Sequence, residues 1–455
     1  MRQTFANHYH EQLEPRLTKL FLRRNVHDLK IDLWNAFVDT DLLEINDADV
    51  SVLPRILPLS YHPTIVRTCR DLTEFLMRFL SLPEREIERL LLPTPITDFL
   101  VGTLGVLRHR KRRICGSLRF DLAIVGRPGA DNPPKLFEVN EIGFDGAGRS
   151  SLIQETLLRL IPALRTEVRC FDTAGAEVRN LRRLGKRILR LQYGSYNWEE
   201  EVLVARARRL GVELKLVSPA LFDLGLDADC SLLTKERVLL RGGCIGLASD
   251  PRPFDGVWMG YSFSLPDYRE GKRLFQMLTR ARSPQYAPFL TGLVAPKSTL
   301  VLLADDGLRR RLLGRARAER LRPSILSAVP LRGHEVELRQ DFGQRVIKHV
   351  DGMGGEQVFL GGKALKKLRS LSSRRRREWV MQERTRLNTM VVDGFMSRRR
   401  AAIADLGAYV QYDWDGERFT SFQVGGFITR ATNRSDKVNV SGGGIQVPVM
   451  FDVRR

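Results

Sequence analysis

Cysteine is scarce in this chain, apolar runs are short, and acidic residues are well outnumbered; each shortage excludes something. The five cysteines, Cys69, Cys115, Cys170, Cys230 and Cys244, are odd in number, widely spaced and without a C-x-x-C pair. That pattern argues against a disulfide framework or a structural zinc site and suits a reducing compartment, so a cytoplasmic location is expected. No apolar run reaches membrane-spanning length, and the first ten residues carry no apolar core of a signal peptide, so no membrane partner is expected. No G-x-x-x-x-G-K-[ST] opens a helix, no G-x-G-x-x-G follows a strand, and no internal repeat is evident, which removes Walker-type, dinucleotide-binding and solenoid readings. The deficit of acid, 53 Asp and Glu against 74 Lys and Arg, leaves a net charge of +21. Such a charge favours anionic partners: nucleotides, acidic peptides or nucleic acid.

What is present is a globular composition, 43% hydrophobic and 28% charged, in a chain of 455 residues that exceeds one ordinary core. Its most informative stretch is a strand pair. Leu118–Val125 places Leu118, Phe120, Leu122 and Ile124 on one face and Arg119 with Asp121 on the other, because strand side chains alternate. Gly126–Pro134 has hairpin-loop chemistry, and Leu136–Asn140 then aligns Glu138 with Asn140. One polar face is therefore expected to carry Arg119, Asp121, Glu138 and Asn140. Two carboxylates and an amide oxygen suit a hard cation such as magnesium, with the arginine facing phosphates; the plain alternative is an edge hairpin with an ordinary ion pair.

Residues 1–105 read as helical, from apolar positions at helical spacing such as Leu13, Leu17, Leu20 and Phe21. Residues 106–185 hold the basic run Arg108–Arg113, the strand pair, a glycine-rich loop over Glu141–Ser150 and a helix at Ser151–Leu160 whose start offers N–H groups to an anion, then a polar connection over 171–186. Residues 186–290 form a β-α-β unit, with strands at Ile188–Tyr193 and Glu213–Val217, a helix near Trp198–Leu210, and Val238–Leu240 and Gly256–Met259 extending the sheet. Residues 291–375 carry a strand-like run at Leu300–Leu303, a basic helix near Leu308–Leu321, and a strand bearing Lys348 that enters the glycine-rich turn Asp351–Gly355. Backbone amides in such a turn close over phosphates while lysine supplies a point charge. Residues 376–455 read as a short strand at Trp379–Arg384, a polar crossover, and antiparallel strands ending in a serine and glycine loop.

Taken together these pieces resemble the ATP-grasp ligases. The strand lysine and glycine loop match Lys348 with Gly352, Gly354 and Gly355; the adenine-reading hinge looks like Met381-Gln382-Glu383-Arg384; the late arginine and the asparagine before a glycine loop look like Arg430 and Asn439; the R-x-D and E-x-N group matches Arg119, Asp121, Glu138 and Asn140. Here the R-x-D and E-x-N strands precede the glycine loop, the reverse of the usual order. The arrangement is similar to the circularly permuted members, glutathionylspermidine synthetases and eukaryotic-type glutathione synthetases. The family's second ATP-contacting lysine, in a D-K pair at the start of a helix, is replaced by Asp305-Asp306, so Arg309 or Arg310 is expected to substitute.

The resemblance implies an α+β and α/β architecture in which two subdomains clasp ATP between antiparallel sheets, with a small α/β domain before them. It also implies a carboxylate–amine ligase that forms an amide through an acyl phosphate and releases ADP. Asp121, Glu138 and Asn140 would hold Mg2+; Arg119 and Lys348 would face the nucleotide phosphates; Gln382, Glu383 and Asn439 would complete the ATP site, with Arg430 on the acyl-phosphate oxyanion. The substrates would be a small-molecule or peptide carboxylate and an amine, with an acidic peptide among the candidates. The rival reading is a non-enzymatic basic protein that binds nucleic acid or acidic peptides through Arg108–Arg113 and Arg374–Arg377.

Overall fold

The computed structural model of the protein describes residues 10–11, 14–22, 26–38, 49–94, 101, 113–141, 146–191, 199–218, 233–234, 236–250, 252–259, 269–352, 357–394, 399–433, 438 and 444–455. The strand Ile114–Ala123 is buried along its whole length and is the spine of a mixed α+β fold. Leu118, Phe120 and Leu122 point into the main core, which also takes Leu72, Phe75 and Phe79 of the helix His62–Leu80. One edge pairs antiparallel with Leu406–Trp414 from Ile114↔Trp414 to Leu122↔Leu406. Along the other edge the C-terminal half pairs with Lys135–Asn140, and Cys115 meets Tyr286 of the two-residue strand Gln285–Tyr286.

Through Tyr286 the antiparallel sheet continues into a parallel one, Gly256–Met259, Arg187–Leu191, Glu213–Val217 and Leu233–Thr234 in that order. This is the expected β-α-β unit, with its helix at Glu199–Arg209. The expected extension at Val238–Leu240 leaves the sheet: Val238–Arg241 folds back on Cys244–Leu247 as a separate hairpin. The reason is Gly242-Gly243, both at positive φ, which fit the tight turn that such a hairpin uses.

Three other local expectations are corrected. Leu300–Leu303 lies in a helix, Ser298–Ala304; a four-residue apolar run has no period by which to tell strand from helix. The polar connection at 171–186 is mostly the buried helix Thr173–Leu181, started by Asp172, whose carboxylate accepts from the Gly175 N–H at 3.0 Å. Its small residues hide the helical stripe, since they lie against the glycines of a facing strand: a Cβ on Gly426 would fall 1.6 Å from Thr173 Oγ1. The polar crossover after Arg384 contains the strand Asn388–Val392. The basic helix is real but broken in two, Asp306–Leu313 and Arg315–Leu321, at Gly314 with φ of 78°.

The N-terminal region is largely helical, yet it is laced into the sheet rather than set apart. Asp49–Val50 and Arg55–Pro58 pair parallel with the last strand, Ile445–Asp452, and His10–Glu11 pairs parallel with Asn388–Val392. A second sheet of four antiparallel strands, in the order Ala328–Pro330, Trp379–Glu383, Arg345–His349 and Val358–Leu360, carries Lys348. No described helix is long and apolar enough to cross a membrane.

Candidate functional site

The strand pair brings its four polar residues to one face as the alternation requires: Arg119 stands opposite Asn140, and Asp121 opposite Glu138. The register then skips a residue, so that Leu122 faces Leu136 and Phe137 bulges out. A bulge re-aims the chain beside it. The Phe137 carbonyl accepts a hydrogen bond from Lys348 Nζ at 2.7 Å, which docks the four-stranded sheet against the larger one.

The face is polar, as expected, but much of it is closed to solvent. Asp121 is fully buried and Arg119 nearly so. The Asp121 carboxylate accepts from Arg119 Nε at 2.9 Å, Asn140 Nδ2 at 2.9 Å and Arg430 Nη2 at 2.7 Å. Burial pushes its pKa up, but the two guanidiniums prevail and hold it below the ordinary aspartate value. Gly407, opposite Asp121 on the neighbouring strand, makes room for this: a Cβ there would lie 3.2 Å from Arg119 Cδ and 2.8 Å from Ile428.

Arg430 is gripped from its other side by Asp405, which accepts from Arg430 Nε at 2.9 Å and from the Arg430 backbone N–H at 2.8 Å. Glu138 shifts in the same direction as Asp121, and Asp405 in the opposite one. Burial and then the Asp121 charge raise the pKa of Asp405 against the pull of Arg430. Glu138 is raised by burial but held below its ordinary value by Lys297 first, with Lys348 and Arg430 adding to it. Its side chain keeps 25% exposure, and Lys297 Nζ lies 3.0 Å from Oε1.

Lys297 is the residue that sequence reasoning missed. It precedes the helix Ser298–Ala304, donates from its backbone to Val350 O at 2.9 Å and from Nζ to Gly352 O, and so joins the lysine strand's exit to Glu138. Its signal was present as a lysine before a helix, hidden by reading Leu300–Leu303 as a strand. The expected substitutes are engaged elsewhere: Arg309 donates to Leu303 O and Asp306, and Arg310 pairs with Asp306. Lys348, nearly buried, has its pKa lowered to about 8, by burial first and by Lys297, with Glu138 opposing.

Other expected site residues have different fates. Gly352 lies at the turn beside Lys297, whereas Gly354, Gly355 and Asn439 lie outside the described residues, as do Arg108–Arg112. Gln382 is buried in the centre of the four-stranded sheet, paired with Val346 and Ala328; the Glu383 N–H donates to Ser327 O and the Arg384 N–H to Gln344 O, both at 2.7 Å. The amides expected to read a base at Glu383 and Arg384 are thus engaged within the protein. The helix start expected to receive an anion already holds one: Glu199 accepts from the Gly146 and Gly148 N–H groups at 2.9 and 3.1 Å.

Among the described residues no cluster of three His, Cys, Asp or Glu is arranged to hold a metal. Asp121, with three donors on its oxygens, is poorly placed as a ligand. Glu138 keeps an exposed portion, and Asn140 turns its NH2 to Asp121, which directs its amide oxygen away. Of the three residues expected to hold magnesium, Asp121 is thus taken up by its donors.

Searches against protein-family models and against curated proteins found no match. Among solved structures, the fold is shared with a glutathione synthetase-like effector from Globodera pallida in its apo form. The two align with a TM-score of 0.68 at 12% identity, over 96% of this chain and 98% of that one. A likeness at that identity establishes the fold alone: this chain has a glutathione synthetase-like fold.

Proposed function

We propose that the protein is an ATP-dependent carboxylate–amine ligase of circularly permuted ATP-grasp type. The observation that carries this reading is the meeting of Lys348 and Lys297 with Phe137 and Glu138, beside the Arg119–Asp121–Arg430 group. Four cations around a partly exposed carboxylate and an amide oxygen are what a metal-bound triphosphate requires. The glutathione synthetase-like fold supports the same class.

In the proposed reaction a substrate carboxylate oxygen attacks the γ-phosphorus and the bond to ADP breaks. An amine nitrogen then attacks the acyl carbon, loses a proton, and inorganic phosphate leaves. Both steps press anions together, so positioning and charge neutralisation supply the rate. Lys297 and Lys348 would take the nucleotide phosphates. Glu138 and Asn140 would hold magnesium, which would supply charge neutralisation to the phosphates. Asp121, engaged by two arginines, would act as their anchor. Arg430, whose Nε and Nη2 are held by Asp405 and Asp121, would present Nη1 to the acyl-phosphate oxygens, with Arg119 beside it. A screen of acid and amine pairs for magnesium-dependent ADP release tests the reading. Release stimulated by one pair is the expected result; no stimulation by any acid and amine would overturn it.

A further inference from the structure

The N-terminal segment lies outside everything the ligase reading assigned, yet it supplies a fully buried guanidinium. Arg55 is 1% exposed. Its Nε and Nη2 form a two-pronged pair with Glu11, at 2.8 Å to Oε2 and 2.7 Å to Oε1. Its Nη1 reaches across the sheet to the Asp405 carbonyl at 2.5 Å and to Thr429 Oγ1 at 3.3 Å, and the Thr429 hydroxyl donates to that same carbonyl at 2.9 Å. Asp405 is the residue whose side chain grips Arg430.

The contacts form one continuous line. Glu11 also accepts from Asn388 Nδ2 at 3.0 Å, and Asn388 clasps Gly126 at the first turn of the R-x-D hairpin, donating to Gly126 O at 2.8 Å and accepting from its N–H at 3.1 Å. Burying an arginine is expensive unless every prong is used, and a fork held by one carboxylate leaves its remaining corner fixed in direction. That corner fixes the Asp405 backbone. The Asp405 carboxylate, which is short and has two torsions, then has little freedom in where it holds Arg430.

We propose that Arg55, oriented by Glu11, is a positioning residue for Arg430, acting through the Asp405 backbone, so that the strands His10–Glu11 and Arg55–Pro58 are part of the scaffold of the site. This rests on the ligase reading for its kinetic consequences, but its geometric claim stands apart from it. Arg55 touches neither lysine nor Glu138 in the structure. Its loss therefore affects the step that Arg430 serves and spares nucleotide capture.

The test uses the full chain with Arg55→Met, Arg55→Lys, Glu11→Gln, Asp405→Asn and the Arg55→Met/Asp405→Asn double variant. Arg55→Met is expected to lower kcat about 10-fold to 100-fold with the KM for ATP changed less than about 3-fold, and Arg55→Lys to recover part of the loss. The double variant should lose far less than the product of the two single losses, because both act on one line. A second readout needs no turnover: the Arg430 Nε–H resonance, assigned by its loss in Arg430→Lys, should shift in both Arg55→Met and Glu11→Gln. If Arg55→Met fails to fold, Glu11→Gln and Arg55→Lys carry the same comparisons. A folded Arg55 variant with unchanged kcat and an unmoved Arg430 resonance overturns the proposal, as does a fully multiplicative double variant. Absence of ADP release from the wild-type protein, with the resonance still moving, overturns the ligase reading and leaves the positioning role intact.

Discussion

Lys348 and Phe137 are 211 positions apart in the chain, and the lysine ammonium donates to the phenylalanine carbonyl at 2.7 Å. The contact joins the four-stranded sheet that carries Lys348 to the bulge of the larger sheet, beside Glu138.

Glu138→Gln is expected to cut ADP release by about 10²-fold to 10³-fold, the size seen when one preorganised charge is removed from a reacting site. The side chain is partly exposed, so far-ultraviolet circular dichroism should be unchanged. Wild-type turnover in this variant would sink the metal assignment.

Asp121→Asn should behave differently, because it removes a buried charge that Arg119 and Arg430 both donate to, leaving Arg430 with Asp405 alone among its carboxylates. Breaking a buried pair in this way costs about 3–5 kcal/mol. Calorimetric unfolding should show a clear loss of stability, well beyond that of Glu138→Gln. Equal melting temperatures for the two variants would contradict the anchor role.

The two candidates for the second nucleotide lysine separate cleanly. Lys297→Met should raise the KM for ATP at least about 10-fold, the loss of about 1.4 kcal/mol or more of phosphate contact. Arg309→Met should leave that KM alone and lower stability, since Arg309 holds the Leu303 carbonyl and Asp306. The reverse pattern would return the contact to the arginine.

Lys348 sets a pH limit. Its folded pKa of about 8 lies below the ordinary lysine value of 10.5, so folding opposes its charge. The penalty is fully present below about pH 8 and fades as pH rises toward 10.5, where the unfolded chain also loses the proton. This group therefore adds stability across that window. Binding goes the other way: kcat/KM for ATP should fall above about pH 8 as the free protein loses the cation, whereas the corresponding limb of kcat should lie higher because bound phosphate favours the charged lysine. Lys348→Arg, which stays charged, should remove the limb, and a limb unchanged in that variant would assign it to another group.

Gly407→Ala places a methyl 2.8 Å from Ile428 and 3.2 Å from Arg119. Displacing Arg119 should lower kcat about 10-fold, while overpacking should cost about 1–3 kcal/mol in a denaturant melt. Full activity would show that Arg119 is not held where it acts.

Much of this protein was legible before folding. Strand alternation put Arg119 with Asp121 and Glu138 with Asn140, because a period of two leaves no other choice within a strand; that the two pairs share one face rests on the register between the strands. The β-α-β unit and the antiparallel strands Leu406–Trp414 and Phe419–Thr432 followed from equally local patterns, but the last strand, Ile445–Asp452, was not read, since the chain was expected to end in a serine and glycine loop. The partners of Lys297 and Asp405 were not legible, since each lies on another element: Glu138 for Lys297, Arg430 for Asp405. Nor was the bulge at Phe137, which depends on the register between two strands and not on either one. Whether Asp121 serves a metal or two arginines was also undecided, because an aspartate in R-x-D looks the same in both cases until Arg430 arrives from another strand. Side-chain chemistry and period are properties of short stretches and are written in the chain. Burial and charge partnership belong to pairs that only tertiary packing brings within hydrogen-bond reach.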